Sequence, residues 1–276
     1  MLYVHRRPAP PLDAFVESVW LCRRAPQPRT LERVLPSGAA QLIVNLAEDQ
    51  TRVYESTPRG LVCRTTCGSV LSGLDTRFTV IDTAEQEHVA GVVFRPGGTL
   101  AFLAMPASEL SGLDATLESV CDAASARRLR ERLLASPNPD VALGVLESWL
   151  NETYRNRSCH PAVAFAVSEF HAQPSLARIE AVKDVLSLSP KRFIERFKAE
   201  IGVTPKRYCR LLRFQQAVAK THCAKEVDWA ELALSCGYFD QAHFIHEFRE
   251  FSGLTPSGYR SNITAFQNHV TFLQYP

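Results

Sequence analysis

The feature that most constrains this chain is a segment that matches itself 51 residues later. Residues 189–208 align without a gap on residues 240–259. Seven pairs are identical: Phe193/Phe244, Ile194/Ile245, Phe197/Phe248, Gly202/Gly253, Thr204/Thr255, Pro205/Pro256 and Tyr208/Tyr259. A repeat at a fixed period is one small structural unit built twice. Each copy opens on Ser189 or Asp240, short oxygen-bearing side chains that accept from a free N–H of a first helical turn. Phenylalanines four apart then share one helix face. Gly202 and Gly253 stand where a helix stops, since glycine takes the left-handed conformation without strain. Thr204-Pro205 and Thr255-Pro256 start the next helix, with Thr as cap and Pro at the first position.

A further helix is expected ahead of each copy, over Ser175–Leu186 and Asp228–Leu234. Helix, short turn, second helix is the helix-turn-helix arrangement. Between the copies, Tyr208, Leu211, Leu212, Val218 and Ala219 keep one apolar stripe. The spacing predicts a single helix from Thr204 to about His222, roughly 27 Å long at 1.5 Å per residue. A rigid spacer of that length suits two modules in successive major grooves, about 34 Å apart on one face of B-DNA.

Residues 160–262 resemble the DNA-binding domain of AraC/XylS-type bacterial transcription regulators. The resemblance rests on Ser189–Tyr208, on Leu211–Ala217, and most specifically on Gly237–Arg249 with Gly253–Pro256 and Tyr259-Arg260. It implies two helix-turn-helix modules joined by a long helix, with Ser189–Ile201 and Asp240–Phe251 entering the major groove. The first module departs from the family pattern, with Lys183 beside Val182 in the supporting helix and Ser187 in the turn. Glu195 and His246 stand where the family commonly has a basic residue midway along the reading helix.

At 276 residues, two domains are expected. The fold class is α+β and multidomain. Residues 1–110 are expected to form a β-rich sensor or dimerisation domain, a barrel or sandwich of cupin-like kind, and 111–158 a helical connector. The DNA-binding domain takes 159–263, and the tail 264–276 is left unassigned. Six runs read as strands: Ser18–Cys22, Gln41–Leu46, Arg52–Glu55, Leu61–Thr65, Phe78–Asp82 and His88–Phe94. Val34–Gly38 with Asn45, and Gly91–Gly98, resemble the N-terminal domain of one AraC-like branch. Arg95–Gly98 reads as a structural turn in preference to an anion-binding loop before a helix at Thr99–Met105. Helices are expected at Leu117–Leu134, Asp140–Tyr154 and Pro161–Phe170, with Arg155–Ser158 as linker. The first two serve either to cover the β-rich domain or to pair subunits; both uses stay open.

Charge concentrates where the motif lies. Residues 171–262 hold 14 Lys/Arg against 10 Asp/Glu, and 186–213 hold 8 against 2. That excess is expected to face phosphates. No leader and no apolar run of about 20 residues appears, which reads as a cytoplasmic protein without membrane contact. The eight cysteines are scattered and read as reduced thiols. Cys63 and Cys67 form the one close pair, without metal-ligand spacing. His243 and His246 lack a third ligand, so no metal is expected, and no cofactor.

Base reading is assigned to outward positions early in each reading helix: Lys191, Arg192, Glu195 and Arg196, then Gln241, His243, His246 and Glu247. Lys and Arg bond guanine, Gln pairs adenine, and Glu accepts from cytosine. Ser189, Lys198, Lys206, Arg207, Arg249 and Arg260 are assigned to phosphates, which position without specifying. Ile194 and Ile245 either pack inward or touch a thymine methyl. The whole reads as a bacterial transcription regulator, of a family in which activators are common. Its partners would be double-stranded DNA, a second copy of the chain, a small-molecule effector and RNA polymerase. Two alternatives are an enzyme delivered to DNA by its C-terminal half and a regulator whose β-rich domain only pairs subunits.

Overall fold

The structure is a computed structural model that describes residues 1–25, 30–57, 60–176 and 188–272. Its first half holds ten strands: β1 Leu2–Arg6, β2 Val16–Arg23, β3 Leu31–Val34, β4 Gln41–Asn45, β5 Gln50–Thr57, β6 Gly60–Cys67, β7 Ser69–Ser72, β8 Thr79–Asp82, β9 His88–Phe94 and β10 Asp114–Thr116. They form two antiparallel sheets, one in the order β1-β2-β9-β4-β7-β10 and one in which β3-β8-β5-β6 run side by side. The six expected strands all occur, within two sheets rather than a closed barrel.

Period-two alternation decides what each face does. On β2, Val19 and Leu21 turn to the apolar core while Trp20 faces the opposite way. On β4, Leu42 and Val44 are buried in that core, and Gln41 and Ile43 face the second sheet. Gly91 sits opposite Trp20 in the β2/β9 register. A Cβ there would lie 2.5 Å from the indole, so only glycine lets the ring lie across the strand.

The outer face of the first sheet is covered by α1 Leu117–Val120, α2 Ala123–Leu134 and α3 Pro139–Thr153. The helix expected over Leu117–Leu134 is broken at Cys121, which is extended, because Asp122 starts a new helix by accepting from the Ser125 N–H at 2.7 Å. Leu129, Leu133, Leu143, Leu146 and Leu150 are fully buried against the sheet. At roughly 1.5–3 kcal/mol for each buried leucine, that covering is a principal source of stability in this half. The helix that the anion-binding alternative placed at Thr99–Met105 is only a single 3-10 turn, Gly98–Ala101. The Arg95–Gly98 stretch ahead of it is a turn: Gly97 has φ +74°, and Arg95 Nε donates to the Asp13 carbonyl. Gly98 abuts Phe15, so a side chain there would collide with the Phe15 carbonyl.

The second half is helical: α4 Pro161–Ala172, α5 Pro190–Ile201, α6 Pro205–Cys223, α7 Trp229–Ser235, α8 Gln241–Ser252 and α9 Pro256–Ser261. α6 is the expected single long helix, of 19 residues. The helix anticipated ahead of the first copy, with Val182, Lys183 and Ser187, falls largely on 177–187, outside the described residues. The tail does something no local signal announced. β11, His269–Thr271, returns to pair with β3 at the edge of the second sheet. His269 Nδ1 lies 2.9 Å from Glu32 Oε2.

The two halves share one apolar cluster. Phe193, Phe197, Tyr208, Phe214, Phe244, Phe248 and Tyr259 of the helical half pack in the same cluster as Leu35, Leu74 and Val270 of the β half.

Candidate nucleic-acid interface

The repeat builds the same scaffold twice. Ser189 accepts from the Arg192 N–H at 3.5 Å and Asp240 from the His243 N–H at 2.7 Å, capping α5 and α8. Gly202 (φ +107°) and Gly253 (φ +68°) stop them. Thr204 and Thr255 cap the helices that follow. Phe193, Phe197, Phe244, Phe248 and Phe251 are all buried. In the second module α7 and α8 are joined through Gly237 (φ +79°), with Ala233 of α7 fully buried against the pair.

The outward faces differ between copies. Lys191, Arg192, Glu195 and Arg196 are exposed along α5, with Arg196 Nε 3.5 Å from Glu200 Oε1. Gln241 and His246 are exposed on α8, and His243 is half-exposed, its Nδ1 accepting from the Phe239 N–H at 3.4 Å. Ile194 is exposed, whereas Ile245 packs on the core.

Three assigned residues are engaged elsewhere. Glu247 is 2% exposed and cannot reach a base edge. Arg210 Nε donates to its Oε2 at 2.7 Å, and Arg213 Nη2 lies 3.5 Å from its Oε1. Arg207 donates to Glu250 Oε1 at 2.7 Å and to the Thr76 hydroxyl at 3.0 Å, which turns it toward the β half and away from phosphate. Arg260 donates to the Thr221 and Lys225 carbonyls and so caps the end of α6. Lys198, Lys206 and Arg249 remain exposed. The basic excess over 186–213 is thus partly internal. Arg207, Arg210 and Arg213 form a ladder along α6 that meets Glu247 and Glu250 of α8, with Arg210 also paired to Glu250. The i, i+3, i+6 spacing of those arginines was the signal for it.

A second feature lies between the sheets: a cavity of about 430 Å³. Trp20, Ile43 and Val70 of the first sheet face Val53 and Ile81 of the second across it, and Asn268 and His269 of the tail close one side. Gln215 of α6 donates to Asn268 Oδ1 at 3.1 Å and to the Pro36 carbonyl at 2.6 Å, so the cavity wall is tied directly to the linking helix. Among the described residues no group of three or more His, Cys, Asp or Glu side chains is arranged to hold a metal. Cys63 is exposed and Cys67 half-buried, both on β6 and both free thiols.

Buried side chains, capped helices and outward polar edges define one complete helix-turn-helix, α7 with α8, and an equivalent second helix, α5, whose preceding helix falls outside the described residues. Comparison with known proteins agrees: residues 183–262 match a family model described as a helix-turn-helix domain. The C-terminal half is a DNA-binding module of the AraC/XylS type. Residues 4–116 match a second model, described as a domain of unknown function (DUF6597). An uncharacterized HTH-type transcriptional regulator of Haemophilus influenzae is 31% identical over 86 residues, 31% of this chain and 28% of that protein. The HTH-type transcriptional activator RhaS of Salmonella schwarzengrund is 29% identical over 125 residues, 45% of this chain and 37% of that protein. The chain spans between 24% and 37% of the length of the curated relatives it matches. Among solved structures, ToxT from Vibrio cholerae aligns over 88% of this chain and 97% of its own, at 10% identity and a TM-score of 0.48. The xylose-binding transcription activator xylR aligns over 39% of this chain and 28% of its own, at 24% identity and a TM-score of 0.34.

Proposed function

We propose that this protein is a sequence-specific DNA-binding transcription regulator controlled by a small molecule held between its two sheets. The observation that carries the reading is the pair of equivalent helices with unlike outward edges: Lys191, Arg192, Glu195 and Arg196 on α5 against Gln241, His243 and His246 on α8. Shared caps and shared core hold the helices in equivalent frames, and the unshared residues read different base steps. Lys198, Lys206 and Arg249, with the Ser189 end of α5, contact phosphates. The site for one subunit is therefore asymmetric.

In this reading residues 1–110 are the sensor, 111–158 its helical cover, and 159–263 the DNA-binding part, while the tail closes the sensor. A homodimer on two half-sites and contact with RNA polymerase complete the reading. No helix among the described residues is long and apolar enough to cross a membrane, in keeping with a cytoplasmic site of action. Selection of DNA from a random pool by the full chain, followed by titration of the selected site at two salt concentrations, tests it. The reading requires selected DNA to bind at least a thousandfold more tightly than random DNA of equal length. Equal affinity for both, with the same salt slope, refutes it.

A further inference from the structure

The segment that connects β7 to β8 has two working faces. Leu74, Thr76 and Phe78 turn to the helical half. Leu74 joins its core, and Thr76 accepts from Arg207. The Phe78 ring lies so close to Gly253 that a Cβ there would sit 2.4 Å from it. Leu74 Cβ lies 3.6 Å from where a Cβ on Gly202 would be. The alternate residues Asp75, Arg77 and Thr79 line the cavity. One short segment therefore touches the cavity on one face and the stop of each reading helix on the other.

The cavity has a definite chemistry. Its walls carry aliphatic and aromatic groups, the guanidinium of Arg77 and three carboxylates, two of which are Asp75 and Asp114. Neither forms an ion pair among the described residues, and they are near enough to repel. Burial and Asp114 push the Asp75 carboxyl up to about 7. Burial also raises Asp114, against a hydrogen bond from Ser72. Glu85, the third carboxylate of the lining, is already satisfied by the Arg52 N–H at 2.7 Å and its guanidinium at 3.0 Å. Thr51 Oγ1 is buried in the same lining with no hydrogen-bond partner among the described residues.

We propose, resting on the ligand-controlled reading above, that this cavity binds a small organic ammonium compound with an apolar body. Its nitrogen is held between Asp75 and Asp114, and segment 73–79 carries occupancy to both reading helices. A buried carboxylate without a cationic partner is unfavourable in its charged form, and a cation beside it restores that form. An ammonium group brings three donors and no acceptor, which suits a pair of carboxylates that accept. The aliphatic and indole walls take the hydrocarbon, and the volume falls in the range of small-molecule sites. At Asp75 and Asp114 an anion of the same skeleton meets repulsion; Arg77, on the same lining, is the group that would favour it instead, so the matched carboxylate probes decide between the two. When Asp75 moves toward the nitrogen, its sequence neighbours Leu74 and Thr76 move on their seats against the helical half. Coupling of that kind changes DNA affinity by roughly tenfold.

The test titrates the full chain with matched probes: butylammonium to octylammonium and 2-phenylethylammonium, each against the carboxylate and alcohol of the same skeleton. Thermal midpoint and affinity for the selected DNA are read at fixed ionic strength. At least one ammonium raises the midpoint and changes DNA affinity by about tenfold, while its carboxylate and alcohol twins do neither. Asp75→Asn, which matches the protonated carboxyl in shape, does not lower the unliganded midpoint and weakens the ammonium by at least tenfold. Phe78→Ala keeps ammonium binding, yet its effect on DNA affinity falls below twofold. A carboxylate or alcohol that binds better than its ammonium twin overturns the ligand class and leaves the ligand-controlled reading standing. No response to any ammonium overturns the proposal; an Ile43→Trp variant that fills the cavity without altering DNA affinity then removes the cavity as a control point as well. Failure of the regulator reading itself shows separately, as loss of DNA discrimination before any probe is added.

Discussion

Glu247 separates a structural role from a reading role most sharply. It lies at i+3 from Phe244 and i−4 from Phe251, inside the stripe that α8 presents to the core. Its carboxylate is 2% exposed and bonded by Arg210 at 2.7 Å, with Arg213 at 3.5 Å. Removing one partner of a buried pair costs about 3–5 kcal/mol, because the remaining charges are left without compensation. Here the two arginine side chains keep 23% and 20% of their exposure and regain some hydration, so the lower end applies: Glu247→Ala is expected to cost about 3 kcal/mol. Glu250, 32% exposed, is worth less, and Glu250→Ala is expected to cost about 1 kcal/mol or under. Equilibrium urea unfolding of the full chain measures both, and amide exchange over residues 229–252 shows whether the second module loosens first. Sequence preference among selected DNAs is read on the same variants below their unfolding range. Glu247→Ala within 0.5 kcal/mol of the parent, together with a changed base preference, would refute the argument and return Glu247 to the reading edge.

Arg192→Ala, and separately His243→Ala with His246→Ala, are expected to lower discrimination at a few base positions by about 1–3 kcal/mol, with thermal midpoints unchanged; unaltered preference in a salt-controlled titration would exclude these residues as readers. Lys198→Ala should weaken all sequences alike and reduce the salt slope by about one, and a sequence-dependent loss would contradict a phosphate role. Asp75, raised from 3.8 to about 7, binds more protons folded than unfolded across that interval. Its contribution to stability is therefore fully present below about pH 4 and is lost as pH rises through 7. Stability of the parent minus that of Asp75→Asn should fall over pH 4 to 7, and a flat difference would remove the burial account. Gly253→Ala combines a positive φ with a collision on Phe78, so it should destabilise by at least 1 kcal/mol and weaken the contact between halves; a neutral effect by thermal unfolding would contradict that packing.

The helical half was legible because its identities are local instructions. A cap, a phenylalanine pair, a glycine stop and a Thr-Pro start each act within one helical turn, and the repeat states them twice. What misled was charge. Eight basic residues over 186–213 suggested one electrostatic surface, yet Arg207, Arg210 and Arg213 point along the helix toward Glu247 and Glu250. The spacing that places them there was as readable as the phenylalanine stripe, but the partner carboxylates lie more than thirty residues away.

Distance in sequence explains the other omissions. Strands β3, β7, β10 and β11 have three or four residues each and carry too few alternations to stand out. β11 exists only because β3, more than two hundred residues earlier, offers it an edge. The cavity depends on that same closure, since its walls run from Trp20 to His269. Asp75 and Asp114 look like ordinary turn residues until β7 and β10 pair, in a register that sets Asp114 opposite Ser72. Docking of the helical half then gives the Leu74–Phe78 alternation its second face. A reading helix can be found in twelve consecutive residues. The two faces of segment 73–79, one on the cavity and one on the helical half, are a property of closure, and its residues acquire their meaning only when β11 has paired with β3.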